Sequence, residues 1–158
     1  TEHLDTGLVI AGARGWMFRE IFAAVQRLGL QNRGRFLGHV GPQALVALYN
    51  ACEAFVFPSL YEGFGLPVLE ALQCGAAVVT AGNSSMKEWF SECTVQVDAL
   101  SAASIAQGLR RMTSDLSLRD TLREKAVLRA REFSWARTCR ETLAVYRQVR
   151  ADADDAHT

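Results

Sequence analysis

The feature that most constrains this chain is the alternation of short apolar segments with longer stretches of helical periodicity. Continuous apolar segments predict strands that are buried on both faces, and a helical stretch between consecutive strands is typical of parallel connections. The sequence therefore predicts an α/β fold with helices on both faces of a parallel sheet. The predicted strands are 8–12, 35–38, 54–57, 76–80 and 94–97, and the intervening helices are 16–28, 43–51, 66–73 and 85–90.

After residue 101 the apolar pattern is helical only, over 101–113, 117–132 and 135–150. These segments predict a helical C-terminal cap on one Rossmann-like domain over residues 1–150. The tail 151–158 has no large apolar side chain to anchor it, and we predict that it is disordered. Ser85 and Glu88 have the spacing of a capping box, which predicts Ser85 as the N-cap of a short helix.

The charge balance excludes several classes of protein. The 158 residues carry 17 Lys and Arg against 17 Asp and Glu, so the chain is not a generally basic nucleic-acid binder. No apolar stretch reaches the ~18 residues that a membrane-spanning helix needs. The helices over 101–150 have a net charge of +6. These helices could contact an anionic membrane surface peripherally, although solvated helix faces are the simpler interpretation.

Cysteine spacing indicates the cellular compartment and excludes common metal sites. Cys52, Cys74, Cys93 and Cys139 are far apart and form no CxxC pair. This pattern is not typical of a zinc site or a disulfide scaffold, and the histidines are equally isolated. We therefore expect no metal, reduced thiols and a cytoplasmic location, with the inner face of the membrane as a second candidate.

One strand-to-helix turn combines glycines with carboxylates. Gly63 and Gly65 would let a ligand approach the backbone where the next helix begins, and a helix N-terminus favours phosphate. One helical turn further on, Glu70 could accept both hydroxyls of a ribose, and Glu62 could face a second polyol. A phosphate, a diol and a polyol together describe a nucleoside-diphosphate sugar. The simpler alternative is that both glutamates are surface charges near a helix N-terminus.

The full motif around these residues resembles a known family. The segment from Pro58 to Ala71 reads Pro-Ser-x-x-Glu-Gly-Phe-Gly-Leu-Pro-x-x-Glu-Ala. This segment resembles the C-terminal, donor-binding half of the retaining GT-B glycosyltransferases of family 4 (glycosyl transferases group 1). The resemblance extends over residues 8–150, and its other matching segments are 35–38, 48–51, 57–59, 75–79, 84–88 and 133–135.

The resemblance implies roles for particular residues. It makes Glu70 the ligand of the ribose hydroxyls and Glu62 the catalytic residue against the donor sugar. The main chain of the intervening turn would follow the sugar and the diphosphate, and the turn after the second strand would border the base. The residues implied for these two turns are Gly63, Phe64, Gly65 and Leu66 for the first, and His39 and Val40 for the second.

The resemblance also implies an activity. The full-length protein would transfer a hexose, with mannose and glucose as candidates, from a UDP-, GDP- or ADP-sugar to a glycan, lipid or small-molecule acceptor, without a cofactor or a metal. Two alternatives stay open: a non-catalytic nucleotide-sugar-binding or assembly module, and another GT-B enzyme such as a phosphorylase or an epimerase. A dinucleotide-dependent dehydrogenase is disfavoured because no G-x-G-x-x-G follows the first strand.

Compared with that family, the sequence begins after the first strand-helix unit, which carries a phosphate-binding Arg and Lys. We therefore expect a longer parent protein with an N-terminal acceptor domain, and we expect this chain alone to be inactive. In a 3-2-1-4-5-6 sheet the absent strand is central, so we predict that the remaining strands close up or that another chain completes the sheet. Leu143, Tyr146 and Val149 of the last helix would then be exposed and could favour self-association.

Overall fold

The computed structural model describes residues 6–15 and 18–155. Over this part of the chain all twelve predicted elements are present, with boundaries shifted by two residues at most except at the end of the last helix. The strands are β1 (Leu8–Ala11), β2 (Gly34–Gly38), β3 (Phe55–Phe57), β4 (Val78–Ala81) and β5 (Val95–Val97). The helices are α1 (Phe18–Arg27), α2 (Pro42–Ala51), α3 (Leu66–Gln73), α4 (Ser84–Phe90), α5 (Ala102–Ser114), α6 (Leu116–Ala130) and α7 (Trp135–Asp155).

The strands form two parallel sheets. One sheet has the order β1-β2 and the other has the order β3-β4-β5. These pairings are the ones that a 3-2-1-4-5-6 order assigns to the five strands present. The expectation that the strands close up into one sheet is wrong, because β1 and β3 are not neighbours in that order and do not pair. Completion of a sheet by another chain stays a prediction.

The chain forms two compact units that meet in sequence between Cys52 and Glu53. In the first unit Phe22 of α1 stacks on Phe36 of β2, with ring centroids 4.4 Å apart. Strand β1 is less buried than its apolar sequence predicts, since Leu8 and Val9 are about half exposed. This strand has one strand partner, so its other edge has no neighbour within the sheet. A single nucleotide-sugar-binding domain over 1–150 stays a prediction.

The second unit has a dense core around its central strand. All four residues of β4 are buried, as expected for a strand with neighbours on both sides and helices packed on it. Helix α5 approaches this sheet closely at Gly108, where a Cβ would overlap Val97. The residues that share this core are Ala77, Val79, Val95, Val97, Met112 and Leu122.

The last helix, α7, has no buried residue among those whose side chains the structure describes. Leu143, Tyr146 and Val149 are exposed, as predicted. The helix continues to Asp155, so the first part of the tail that we predicted to be disordered is helical, and residues 156–158 lie outside the described part. Helix formation needs no buried anchor here, because residues 151–155 extend an existing helix by one turn. None of the described helices is long and apolar enough to cross a membrane.

Candidate functional site

The predicted site turn lies at the carboxyl end of strand β3. Residues 58–65 connect β3 to α3, and all of them belong to the second compact unit. Ligands of open parallel sheets bind at this edge, where the turns that follow neighbouring strands lie side by side. The turn after β4 supplies Asn83, and the start of α4 supplies Ser84 and Ser85. The side chains of all three form hydrogen bonds with the 58–65 turn.

Glu62 is held through both its main chain and its side chain. Its N–H donates to Ser84 Oγ at 3.4 Å, and its carbonyl oxygen accepts from Ser85 Oγ at 2.8 Å. Its Oε1 accepts from Ser59 Oγ at 2.9 Å. The residue is half-buried. These bonds restrict the orientation of the carboxylate, whose two oxygens together have more acceptor capacity than one serine uses.

The neighbouring main chain is held by an asparagine that the sequence did not single out. Asn83 Nδ2 donates to the carbonyl oxygen of Leu60 at 2.9 Å and to that of Ser59 at 3.5 Å. Asn83 Oδ1 accepts from Ser84 Oγ at 3.2 Å. The sequence signal for Asn83 was its position directly after a buried strand. This position places it at the same sheet edge as residues 58–65, the glycine turn.

The capping-box prediction for Ser85 is wrong. Helix α4 begins at Ser84 with Asn83 as the N-cap residue, and no side chain there accepts a capping hydrogen bond. Ser85 is buried, and its hydroxyl is used on the carbonyl oxygen of Glu62 instead. Sequence spacing identified the helix start within one residue, whereas the tertiary contact decides where the hydroxyl points.

Helix α3 begins where the glycine turn ends, and Gly65 is its N-cap. Gly65 is buried in a left-handed conformation with φ 93°, and a Cβ there would overlap the thioether of Met86. Gly63 is exposed, and a Cβ there would meet nothing within 4 Å. Leu66, the first helical residue, is 48% exposed. The helix N-terminus and its amides are therefore next to a turn with open space at Gly63.

The ring of Phe64 lies among aromatic side chains. Its centroid is 5.4 Å from that of Phe133, 5.8 Å from Phe90 and 6.3 Å from Trp89. The Arg129 guanidinium lies over the Phe133 ring at 5.2 Å and over the Trp89 ring at 5.9 Å. This aromatic cluster anchors the glycine turn to α4 and to the end of α6.

The remaining predicted residues divide between the two units. Glu70 is exposed on α3, the helix that begins directly after the turn that holds Glu62. His39 and Val40 follow β2 in the first unit, where His39 is exposed and Val40 is half-buried. The structure thus groups Glu62, Gly63, Phe64, Gly65, Leu66 and Glu70 on one turn and helix start.

A cavity of about 340 Å³ opens beside Asn83, between the turns that follow β4 and β5. Its polar lining includes the Asn83 and Gln96 amides, the Asp98 carboxylate and the Ser104 hydroxyl. Most of these groups have partners: Gln96 Nε2 donates to the Met86 carbonyl oxygen, and Asp98 Oδ1 accepts from the Leu100 N–H. The cavity is thus a polar recess whose lining groups are used mainly to tie these turns together.

Comparison with known proteins identifies the family. The model of the family described as glycosyl transferases group 1 matches residues 1–129. The chain belongs to this family. O-antigen chain mannosyltransferase B of Escherichia coli is 33% identical over 140 residues, which are 89% of this chain and 37% of that protein. D-inositol 3-phosphate glycosyltransferase of Actinosynnema mirum is 34% identical over 157 residues, which cover 90% of this chain and 36% of that protein. The chain therefore spans little more than a third of these relatives.

Solved structures give the same fold. Sucrose-phosphate synthase from Thermosynechococcus elongatus superposes with a TM-score of 0.83 at 27% identity, over 92% of this chain and 39% of that one. Anabaena HepE in complex with UDP-glucose superposes with a TM-score of 0.79 at 22% identity, over 90% of this chain and 41% of that one. The α/β fold of this chain, with its parallel sheets, is the one found in part of these GT-B glycosyltransferases.

Proposed function

We propose that this chain is the donor-binding part of a retaining glycosyltransferase that transfers a hexose from a nucleoside-diphosphate sugar. The observation that carries the proposal is the arrangement of Glu62 and Glu70. They flank a glycine turn at the carboxyl edge of a parallel sheet, and hydrogen bonds hold the first of them in place. Membership of the glycosyl transferases group 1 family supports the same proposal.

Glu70 is proposed to bind the ribose. A carboxylate can accept from two vicinal hydroxyls at once, and charge-assisted hydrogen bonds are stronger than neutral ones. Glu70 is exposed on the helix that begins at the glycine turn, so a nucleotide whose phosphates lie at the helix N-terminus could extend its ribose toward it. His39 and Val40, after β2, are proposed to border the base.

Glu62 is proposed to face the donor sugar and to act as the catalytic residue, because a fixed carboxylate stabilises positive charge that develops at the reacting carbon. The main chain of Gly63, Phe64, Gly65 and Leu66 is proposed to follow the sugar and the diphosphate. Since the Phe64 ring lies in the aromatic cluster, its main chain is the part available to the donor.

The donor and acceptor are proposed at the level of chemical class. Mannose and glucose are the candidate sugars, because relatives include a protein named as a mannosyltransferase and a structural neighbour was solved with UDP-glucose. The base is uracil, guanine or adenine, and the acceptor is a glycan, a lipid or a small molecule. We expect transfer without a metal or a cofactor, and unchanged rates in EDTA would support that expectation.

The first test is calorimetric titration of the full-length protein, and of this chain, with UDP, GDP and ADP. Glu70→Ala should weaken binding of the preferred nucleotide by ~1.5–3 kcal/mol, which raises Kd by a factor of about 10 to 150. Glu53→Ala is the matched control, since Glu53 is an exposed glutamate that precedes β3 at its other end. Failure of the full-length protein to bind any of the three nucleotides, or unchanged binding in Glu70→Ala, would contradict the proposal.

The stereochemistry is tested separately. With the donor that binds, proton NMR of the product should show the anomeric configuration of the donor retained. Early time points are needed where water is the acceptor, because a free sugar equilibrates between anomers. An inverted product would refute retention and leave the nucleotide site as proposed.

A further inference from the structure

We propose that Ser85 is a positioning residue: its buried hydroxyl holds the main chain of Glu62 so that the Glu62 carboxylate faces the hydroxyls of the donor sugar. The inference rests on the proposed function, in which Glu62 contacts that sugar. It adds a residue at the start of α4, 23 residues away from Glu62 along the chain.

The contact is direct and buried. Ser85 is 6% exposed, and its Oγ lies 2.8 Å from the carbonyl oxygen of Glu62. A hydroxyl that is removed from water needs a partner inside the protein, so this bond has a strong preference for one geometry. Because the bond ends on the main chain of Glu62, it restricts the backbone from which the carboxylate projects.

A second bond from the same segment acts on the same residue. The Glu62 N–H donates to Ser84 Oγ, and Ser84 Oγ in turn donates to Asn83 Oδ1. The peptide groups on both sides of the Glu62 Cα are therefore tied to the start of α4. Ser59 then holds one carboxylate oxygen from within the glycine turn, which leaves acceptor capacity for a ligand on the carboxylate.

The backbone of the clamping segment is itself unusual. Ser84 has φ 43°, and among the described residues it is the one non-glycine residue with a positive φ. Such a backbone conformation is strained, so it persists only where surrounding contacts hold it in place, and it is enriched at functional sites. Here the contacts that fix it are the bonds of Asn83, Ser84 and Ser85 to the 58–65 turn.

A buried hydroxyl in the same unit offers a matched control. Thr94 is also 6% exposed, and its Oγ1 donates to the carbonyl oxygen of Phe90 at 2.7 Å. Thr94 thus makes the same kind of bond, to the main chain of the last residue of α4 and not to that of Glu62. Ser85→Ala and Thr94→Val should lower stability similarly. A difference between the two variants in ligand binding would therefore reflect the bond to Glu62 and not a loss of stability.

The experiment measures the ratio of two dissociation constants, for a nucleoside diphosphate and for its hexose ester, in the full-length protein. The probes are UDP with UDP-glucose or GDP with GDP-mannose, according to the nucleotide that binds. Ser85→Ala should weaken binding of the sugar ester about tenfold relative to the nucleoside diphosphate, as expected for one weakened set of hydrogen bonds. The nucleoside diphosphate itself should bind within about twofold of wild type. Ser85→Thr should restore the wild-type ratio, and Thr94→Val should leave it unchanged.

A double-mutant cycle separates positioning from a general structural effect. If Ser85 acts through Glu62, Ser85→Ala added to Glu62→Ala changes the ratio no further. A full additional effect in the double variant would overturn the proposal. So would a wild-type ratio in Ser85→Ala, an equal loss of affinity for both ligands, or a Glu62→Ala variant whose ratio equals that of wild type. Failure of wild type to bind any nucleotide would instead refute the proposed function.

Discussion

Gly65 and Met86 are so close that a Cβ on Gly65 would overlap the terminal methyl group and sulfur of Met86. Met86 is fully buried in α4, and Gly65 is the N-cap of α3 with φ 93°. The glycine turn therefore packs directly on the helix whose first residues hold Glu62. Two physical reasons favour glycine at this position: the backbone is left-handed, and Met86 leaves no room for a side chain.

Gly65→Ala should destabilise the protein by ~1–3 kcal/mol, because alanine at a positive φ is strained and its methyl group must displace a packed methionine. Urea denaturation followed by tryptophan fluorescence measures the change. Gly63→Ala is the matched control: Gly63 lies in the same turn, and a Cβ there meets nothing within 4 Å. Equal stability of the two variants would show that the Met86 contact is not a constraint.

The sequence was sufficient to predict the elements and the site turn, because apolar periodicity and glycine placement are local signals. It did not predict that Ser85 bonds to Glu62 or that the Phe64 ring packs on Phe133, since these contacts join segments 23 and 69 residues apart. Ser84, Ser85 and Phe133 lie in segments over which the sequence resembles the family. Their physical roles depend on which strands end side by side, which a single sequence does not state.

The burial of β1 was overestimated for a related reason. Leu8 and Val9 are apolar and belong to a strand, yet they are about half exposed. The side chains of a strand are buried where other elements pack on its faces, and the number of strand partners does not decide this: β5 also has one strand partner, yet Val95 and Val97 are buried because α5 packs on it. The pattern of side chains indicates a strand, whereas the elements that cover its faces are a property of the whole fold.

Glu62→Ala should impair sugar transfer far more than nucleotide binding. If the carboxylate stabilises charge that develops in the transition state, its loss should lower kcat about 10²-fold or more, whereas the Kd of the nucleoside diphosphate should change less than about twofold. Steady-state transfer kinetics and calorimetry of the same full-length variant provide the two numbers. Parallel loss of kcat and nucleotide affinity would mean that Glu62 binds the nucleotide.

Cys93 should make stability depend on alkaline pH. Burial raises the pKa of this thiol to about 11 from 9.0, and the positive charge of Arg129 opposes the shift only in part. Between about pH 9 and 11 the unfolded chain therefore loses a proton that the folded chain keeps, so the free energy of unfolding falls as pH rises. The contribution is constant below the unfolded pKa.

Cys93→Ala tests this directly, since other groups that titrate in the same range are common to both proteins. The stability advantage of wild type over Cys93→Ala should shrink as pH rises from about 9 to 11, measured by urea denaturation at each pH. Cys139→Ala is the control for removal of a thiol, because Cys139 is exposed on α7. A pH-independent difference between wild type and Cys93→Ala would show that the buried thiol ionises as readily as an unfolded one.

Helix α7 should be dispensable for the stability of the second unit. Its described side chains are all exposed, and the hydrogen bond from Thr138 Oγ1 to the Ser134 carbonyl oxygen near its N-terminus is local. Deleting residues 139–158 should therefore change the free energy of unfolding by less than ~0.5 kcal/mol while lowering the helical circular dichroism signal. Leu122→Ala in α6 is the contrasting variant: Leu122 is buried in the core, so its truncation should cost ~2–5 kcal/mol. A loss on deletion that approaches the Leu122→Ala value would show that α7 packs on the unit in solution.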